Sequence, residues 1–359
     1  MGSMRRMPAL LLALAFAASG CSPQPYESAD FEAGGPGDSV ILWRLIHGPT
    51  GFVGIGGPLR ASDLEEDAGP LTLWPYRSED GRSWQRGERL GELADPVLGL
   101  AAGEDLLAAS GLWDGRPAVL VSDDGLTWRR TELTGEVSGF EVSGIAVHRG
   151  IVLVSGFDAT EAPLVWRVGP DGEASLLDAS ALGIGGRLPH IVSGPAGFVA
   201  AQEDGGALPG AAPVWVSPDG ISWDPVLNPF GDGVGVGGLV GSGSGYVAVA
   251  ASLSDDRSYT LWVSPDGVEW EARADQQSVF RRLIGTGGDL YPDLSGEPAI
   301  EPSSRPIAFS SNGRWLEMVE AHHGRRFVTV AVAATGEARI LSGFTQGRPP
   351  VPLILVAGG

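Results

Sequence analysis

The sequence contains no lysine, so all 24 of its basic residues are arginine. That absence excludes a Schiff-base lysine, a lysine-anchored cofactor and a P-loop lysine. A single cysteine, Cys21, excludes disulfides, cysteine-ligated zinc and a cysteine nucleophile in the body of the chain. Positive charge is scarce against 44 Asp and Glu, and the formal charge is −20. Without a basic footprint, no nucleic-acid partner is expected. The apolar run Ala9–Ala18 falls short of the roughly 18 residues that span a bilayer. No amphipathic stretch with the 3.6-residue period of a helix is present at ordinary helix length. What is abundant is glycine and proline, at 55 and 27 of 359 residues, beside a hydrophobic share of 43%. A disordered polymer lacks that apolar fraction, so the composition implies a folded chain dense in turns.

The amino end has the layout of an export signal. Arg5 and Arg6 precede the apolar run, and Ala18-Ser19-Gly20-Cys21 supplies small residues at its end. A stop that ends in cysteine resembles the lipobox of bacterial lipoproteins, although Ala18 stands where that pattern usually has leucine. The resemblance implies cleavage after residue 20 and lipidation of Cys21. It places the protein in the cell envelope, outside the cytoplasm, and joined to the membrane through the lipid alone. Residues 21–38 are rich in Pro, Gly, Ser and acid and suit a short tether.

Residues 39–359 repeat. Four segments share S-x-D-G-x-x-W: Ser78-Glu79-Asp80-Gly81-Arg82-Ser83-Trp84, Ser122-Asp123-Asp124-Gly125-Leu126-Thr127-Trp128, Ser217-Pro218-Asp219-Gly220-Ile221-Ser222-Trp223 and Ser264-Pro265-Asp266-Gly267-Val268-Glu269-Trp270. Weaker copies lie at Gly169-Pro170-Asp171-Gly172 and at Ser310-Ser311-Asn312-Gly313-Arg314-Trp315. The spacing is about 46 residues, so seven units fill the body. Each unit holds a short first strand, a glycine-led second strand such as Gly245-Tyr-Val-Ala-Val, a third that enters the motif and a fourth that leaves it. Four antiparallel strands repeated seven times predict an all-β, seven-bladed β-propeller, with six or eight blades if an end repeat is miscounted. The last unit lacks a fourth strand. Residues 26–32 could supply it, which competes with their reading as tether.

In each motif the aspartate can accept N–H bonds from its own turn, glycine supplies positive φ, and tryptophan buries a flat apolar surface between neighbouring blades. The string resembles the Asp-box, or BNR repeat, of sialidase-like propellers, shortened by one residue between Asp and Gly. The resemblance implies that the boxes are structural and lie away from a ligand face. It also raises a divergent sialidase-like exo-glycoside hydrolase as the enzyme reading. Such an enzyme needs an arginine cluster and a tyrosine nucleophile. Tyr291, placed in a loop after Gly288, is the candidate nucleophile, and Arg187-Leu188-Pro189 is the nearest match to the family's arginine string.

Gly233-Val-Gly-Val-Gly-Gly238 fits a dinucleotide fingerprint, but inner-strand residues follow where a helix is required, so it reads as propeller centre. No G-x-S-x-G elbow occurs. The loops opposite the boxes are acidic. Asp63, Glu65, Glu66 and Asp67, with Asp255 and Asp256, are the candidate cation ligands. Calcium is the cation they would suit, although no loop has regular D-x-D-x-D spacing; the plainer reading is a solvated surface, and no cofactor is expected. The favoured expectation is a monomeric, non-catalytic binding or scaffold module whose partner is an envelope protein or a glycan.

Overall fold

A computed structural model of the chain describes residues 27–28, 30–31, 40–58, 71–93, 99–133, 141–160, 162–178, 190–202, 214–231, 234–242, 245–252 and 259–276. Beyond these it describes the strands at 283–286, 289–292, 307–310, 315–317, 321–322, 325–334, 338–345 and 351–358. Among the described residues every regular element is a strand.

Four sheets are four-stranded antiparallel meanders. They begin at the strands Glu141–His148, His190–Gly194, Val234–Ser242 and Leu283–Thr286, and each runs outward in chain order. A ten-stranded sheet holds two more such meanders, one from Val40–Gly48 and one from Gly99–Ala102. The strand Gly91–Leu93 bridges them by pairing with Leu71–Ser78 of one and, at Trp113, with Leu107–Trp113 of the other. In the last sheet, Arg325–Ala334, Ala338–Thr345 and Val351–Gly358 form the meander. Glu27–Ser28 then pairs antiparallel with Val351–Gly358 as the outermost strand. Glu27–Ser28 thus provides the strand that the last unit lacks. Asp30–Phe31 goes on to pair, in parallel, with Ser83–Arg86 at the outer edge of the first sheet.

The first strands of successive sheets lie side by side, and Arg325–Ala334 of the last lies against Val40–Gly48 of the first. At that junction the Leu42 backbone N–H donates to Ser342 Oγ at 2.8 Å, with both residues fully buried. The sheets that begin at Val40–Gly48 through Val234–Ser242 are therefore covered on both faces, which explains why the second strand of each is mostly an apolar run instead of an alternating one. The two-residue side-chain period divides that run between neighbours. Val152 and Val154 pack with Val119 and Val121 of the preceding sheet, and Leu153 packs with Ile191 and Phe198 of the following one. Phe198 and Ala200 in turn face back, and Val199 and Ala201 face forward onto Tyr246 and Ala248. Full burial of one such side chain stabilises by about 1.5–3 kcal/mol. The core is thus a series of layers between sheets.

Four first strands share an irregularity that the sequence did not signal. The register slips by one residue between Leu42 and Arg44, Val142 and Gly144, Val236 and Gly238, and Thr329 and Ala331. Each is a bulge at the same height of its strand, near the face opposite the S-x-D-G-x-x-W turns. Bulges bend and twist a strand locally.

Candidate functional site

The S-x-D-G-x-x-W turns are the best-defined polar constructions in the structure, and all four join the third strand of a sheet to its fourth. The serine ends the third strand and is buried. Its hydroxyl accepts the glycine N–H, at 2.8 Å in the first turn and 2.9 Å in the second. The same hydroxyl donates to aspartate Oδ1 at 3.1 to 3.2 Å. That oxygen also accepts two backbone N–H groups: Arg82 and Ser83 for Asp80, Leu126 and Thr127 for Asp124, Ile221 and Ser222 for Asp219, Val268 and Glu269 for Asp266. The glycine lies in the left-handed region, with φ of 76, 78, 74 and 80° in the four turns and 83° at Gly172 of the copy without tryptophan. A side chain there is strained, so glycine is required. The indole N–H donates to the carbonyl of the turn's own glycine in Trp84, Trp128 and Trp270, at 2.8, 3.1 and 2.9 Å. The Trp223 indole N–H is buried and has no hydrogen-bond partner among the described residues.

These turns also reach backward across the sheet boundary. A Cβ on Gly125 would stand 2.8 Å from Val53 Cγ2 of the first sheet. One on Gly220 would meet Leu153 at 2.9 Å, and one on Gly267 would meet Val199 at 2.5 Å. The bonds hold each carboxyl below the usual carboxylate range. The Ser83 N–H is the main cause for Asp80, the Ser222 N–H for Asp219 and the Glu269 N–H for Asp266. In Asp124 burial is the largest single influence and acts upward, but the Thr127 and Leu126 N–H bonds together outweigh it. An ionised carboxylate that accepts N–H bonds is the arrangement that depresses such a group.

On the opposite face, two of the acidic-loop residues fall within the described part. Asp114 and Gly115, with φ of 51 and 75°, form the tight turn between the second and third strands of the second sheet. Arg130 donates to the Asp114 carboxylate at 2.6 Å and to the Trp113 carbonyl at 2.7 Å. The Arg130 guanidinium, followed by the Glu92 N–H, holds Asp114 below its ordinary value. Asp158 accepts from the Thr160 N–H, the Thr160 hydroxyl and the Ala162 N–H, all within its own loop. Asp114 thus ties its turn to Arg130 and Glu92, and Asp158 closes its own loop. Among the described residues no group of three or more His, Cys, Asp and Glu could hold a metal ion. Asp63, Glu65, Glu66, Asp67, Asp255 and Asp256 lie outside the described residues, as do Cys21 and Arg187.

The structure corrects the placement of Tyr291. It lies within the strand Asp289–Pro292, opposite Ile284, and not in a loop. Gly288 before it and Pro292 after it read as turn residues, yet the pairing of Pro292 with Leu283 carries the second strand of this sheet through Tyr291 to Pro292. The glycine-rich segment after Gly233 is the first strand Val234–Ser242, as expected of a propeller centre.

Antiparallel four-stranded sheets set side by side around their first strands define a β-propeller fold. No family model matches the chain, and no curated protein sequence matches it. Similar solved structures exist at low identity. A puromycin hydrolase is 12% identical with a TM-score of 0.51, over 84% of this chain and 50% of that one. The BP39L lectin from Burkholderia pseudomallei is 12% identical with a TM-score of 0.50, over 89% of this chain and 96% of that one. A sialidase from Trypanosoma rangeli is 13% identical with a TM-score of 0.42, over 82% of this chain and 58% of that one. The chain therefore spans about half the length of the hydrolase but nearly all of the lectin, and the likeness is one of fold.

Proposed function

We propose that this chain is a seven-bladed, lipid-anchored propeller of the bacterial cell envelope that works as a non-catalytic binding or scaffold module. Seven blades are supported by the unbroken neighbour relation among first strands, from Val40–Gly48 through Arg325–Ala334 and back. The observation that carries the non-catalytic reading is the state of the box aspartates. Each spends Oδ1 on a hydroxyl and two N–H groups of its own turn, which is a structural use. This use supports the structural role that the resemblance to Asp-boxes implies for them. On the other face, Asp114 is engaged by Arg130 and the Glu92 N–H, and Asp158 by its own loop.

A glycan is the ligand class we favour, ahead of an envelope protein. The likeness of fold to a lectin, over nearly the whole of that protein, supports this preference. The protein is proposed to act as a monomer, without nucleic acid and without a resident cofactor. Screening the purified chain on a glycan array, beside a fluorogenic sialoside assay, tests the reading. Saccharide binding without turnover is expected. Turnover that Tyr291→Phe abolishes would establish the sialidase-like hydrolase in its place.

A further inference from the structure

We propose that Asp171–Gly172 is a self-modification site, where the main chain closes to a succinimide and reopens as isoaspartate. The reaction needs only the chain and water. The Gly172 nitrogen attacks Asp171 Cγ and forms a new N–C bond. The nitrogen gives up its proton and the carboxyl its hydroxyl, which leave together as water. Water then adds to the main-chain carbonyl carbon of Asp171 and breaks its bond to the Gly172 nitrogen. The main chain afterwards runs through Cβ and Cγ, at unchanged mass. Aspartate before glycine favours this attack, because no Cβ shields the nitrogen. A protonated carboxyl has the hydroxyl to lose, and an ionised one does not.

The sequence holds eight Asp-Gly pairs, and six lie among the described residues, at Asp80, Asp114, Asp124, Asp171, Asp219 and Asp266. The fold restrains five of these. In the four boxes the glycine N–H is spent on a buried serine hydroxyl. Each box carboxyl is held below the usual carboxylate range, in the form that has no hydroxyl to lose. The box glycines are also buried, and Gly125, Gly220 and Gly267 are wedged against the preceding sheet, so a ring has no room to form. At Asp114 the following glycine is unhindered, since a Cβ on Gly115 would meet nothing within 4 Å. There the carboxylate is gripped instead, by Arg130 at 2.6 Å and the Glu92 N–H at 3.3 Å. Asp171 escapes both restraints. Gly169 stands where a box has serine, and among the described residues its carboxylate accepts only the Glu173 N–H, at 3.1 Å. A Cβ on Gly172 would meet only Thr131 Oγ1, at 4.0 Å. The Gly172 N–H donates to the Gly169 carbonyl at 2.9 Å, within the same turn, whose Pro170 and Asp171 are exposed. Conversion removes that bond and displaces the Gly172 carbonyl from the Thr131 hydroxyl of the second sheet, now 3.3 Å away.

The test is prolonged incubation of the full chain at mildly acid pH, with tryptophan fluorescence confirming that it stays folded. Electron-transfer mass spectrometry of the digest then locates isoaspartate, and a sample held in urea is the reference. In urea the six peptides should convert at comparable rates. In the folded chain the Asp171 peptide should convert several times faster than any of the other five. Asp171→Glu, which would have to close a larger and slower ring, should abolish conversion at that position. Arg130→Gln should raise conversion at Asp114 and leave Asp171 unchanged. Box peptides that convert as fast as Asp171 in the folded chain would overturn the assignment. So would an intact Asp171 in the folded chain while the urea sample converts. An Asp114 that stays inert in Arg130→Gln would refute the restraint assigned to the carboxylate grip.

Discussion

Gly125→Ala tests whether the repeated turns brace one sheet against the one before it. Two penalties are expected. The left-handed backbone, φ 78°, costs an alanine about 1–2 kcal/mol. The new Cβ, 2.8 Å from Val53 Cγ2, adds about 1–3 kcal/mol of overpacking. Val53 is fully buried, and Val53→Ala removes two carbons at about 0.8 kcal/mol each plus a cavity cost, roughly 2 kcal/mol in all. The double mutant keeps the backbone strain but loses the clash, because the new methyl occupies space vacated by the old ones. Its destabilisation should therefore fall short of the sum by at least about 1 kcal/mol. Asp124→Ala provides the control. It removes the acceptor of the Leu126 and Thr127 N–H groups, at about 1–3 kcal/mol, but its bonds stay within its own turn. Paired with Val53→Ala it should be additive. Urea unfolding followed by tryptophan fluorescence gives all five midpoints. Additivity within about 0.5 kcal/mol for the Gly125 pair would refute the bracing argument.

Three other outcomes follow from the structure. Burial lowers His47 and His148 from their usual 6.5, with Arg149 adding to the effect at His148, so the unfolded chain binds more protons below that value. Midpoint temperatures should thus decline as pH falls from about 6.5, and decline again below about 4 as the depressed box aspartates protonate; a melt that rises between pH 6.5 and 5 would contradict the sign. Ser342→Ala leaves the buried Leu42 N–H without its acceptor and should cost about 1–3 kcal/mol in a urea titration, whereas an unchanged midpoint would show that the junction of the first and last sheets is held by packing alone. Millimolar calcium against chelator, at matched ionic strength, should leave the melting midpoint unmoved, and a clear upward shift would give the acidic loops a bound cation.

Legibility of the fold depended on how local each signal was. The boxes were readable because all their partners lie within seven residues: Ser122, Asp124 and Gly125 bond to one another and to the next two N–H groups. Spacing then gave the repeat. The missing fourth strand of the last unit was also visible, because its absence left an edge unpaired. The indole N–H groups of Trp84 and Trp128 use the carbonyl of their own turn's glycine, a partner that spacing alone does not name. The bulges at Leu42/Arg44 and Val142/Gly144 left no trace, because a slip of register belongs to two strands and not to either sequence. Tyr291 was misplaced for a related reason: glycine before it and proline after it signal a turn locally, and only the pairing with Leu283–Thr286 overrides them.

The backward lean of the turns gives the ring a direction in time. Gly125 packs on Val53, Gly220 on Leu153 and Gly267 on Val199, and in each case the sheet packed upon comes first in the chain. A polypeptide that enters a compartment amino end first would therefore meet a finished surface for each new sheet as it arrives, so docking can follow the order of delivery. The first sheet alone must wait. Its Trp84 shares a core layer with Ile340, and its Leu42 N–H finds Ser342 only when the last sheet has arrived. Closure of the circle is thereby made the final event, and any truncation from the carboxyl end should leave a stack of well-docked sheets with an unfinished beginning.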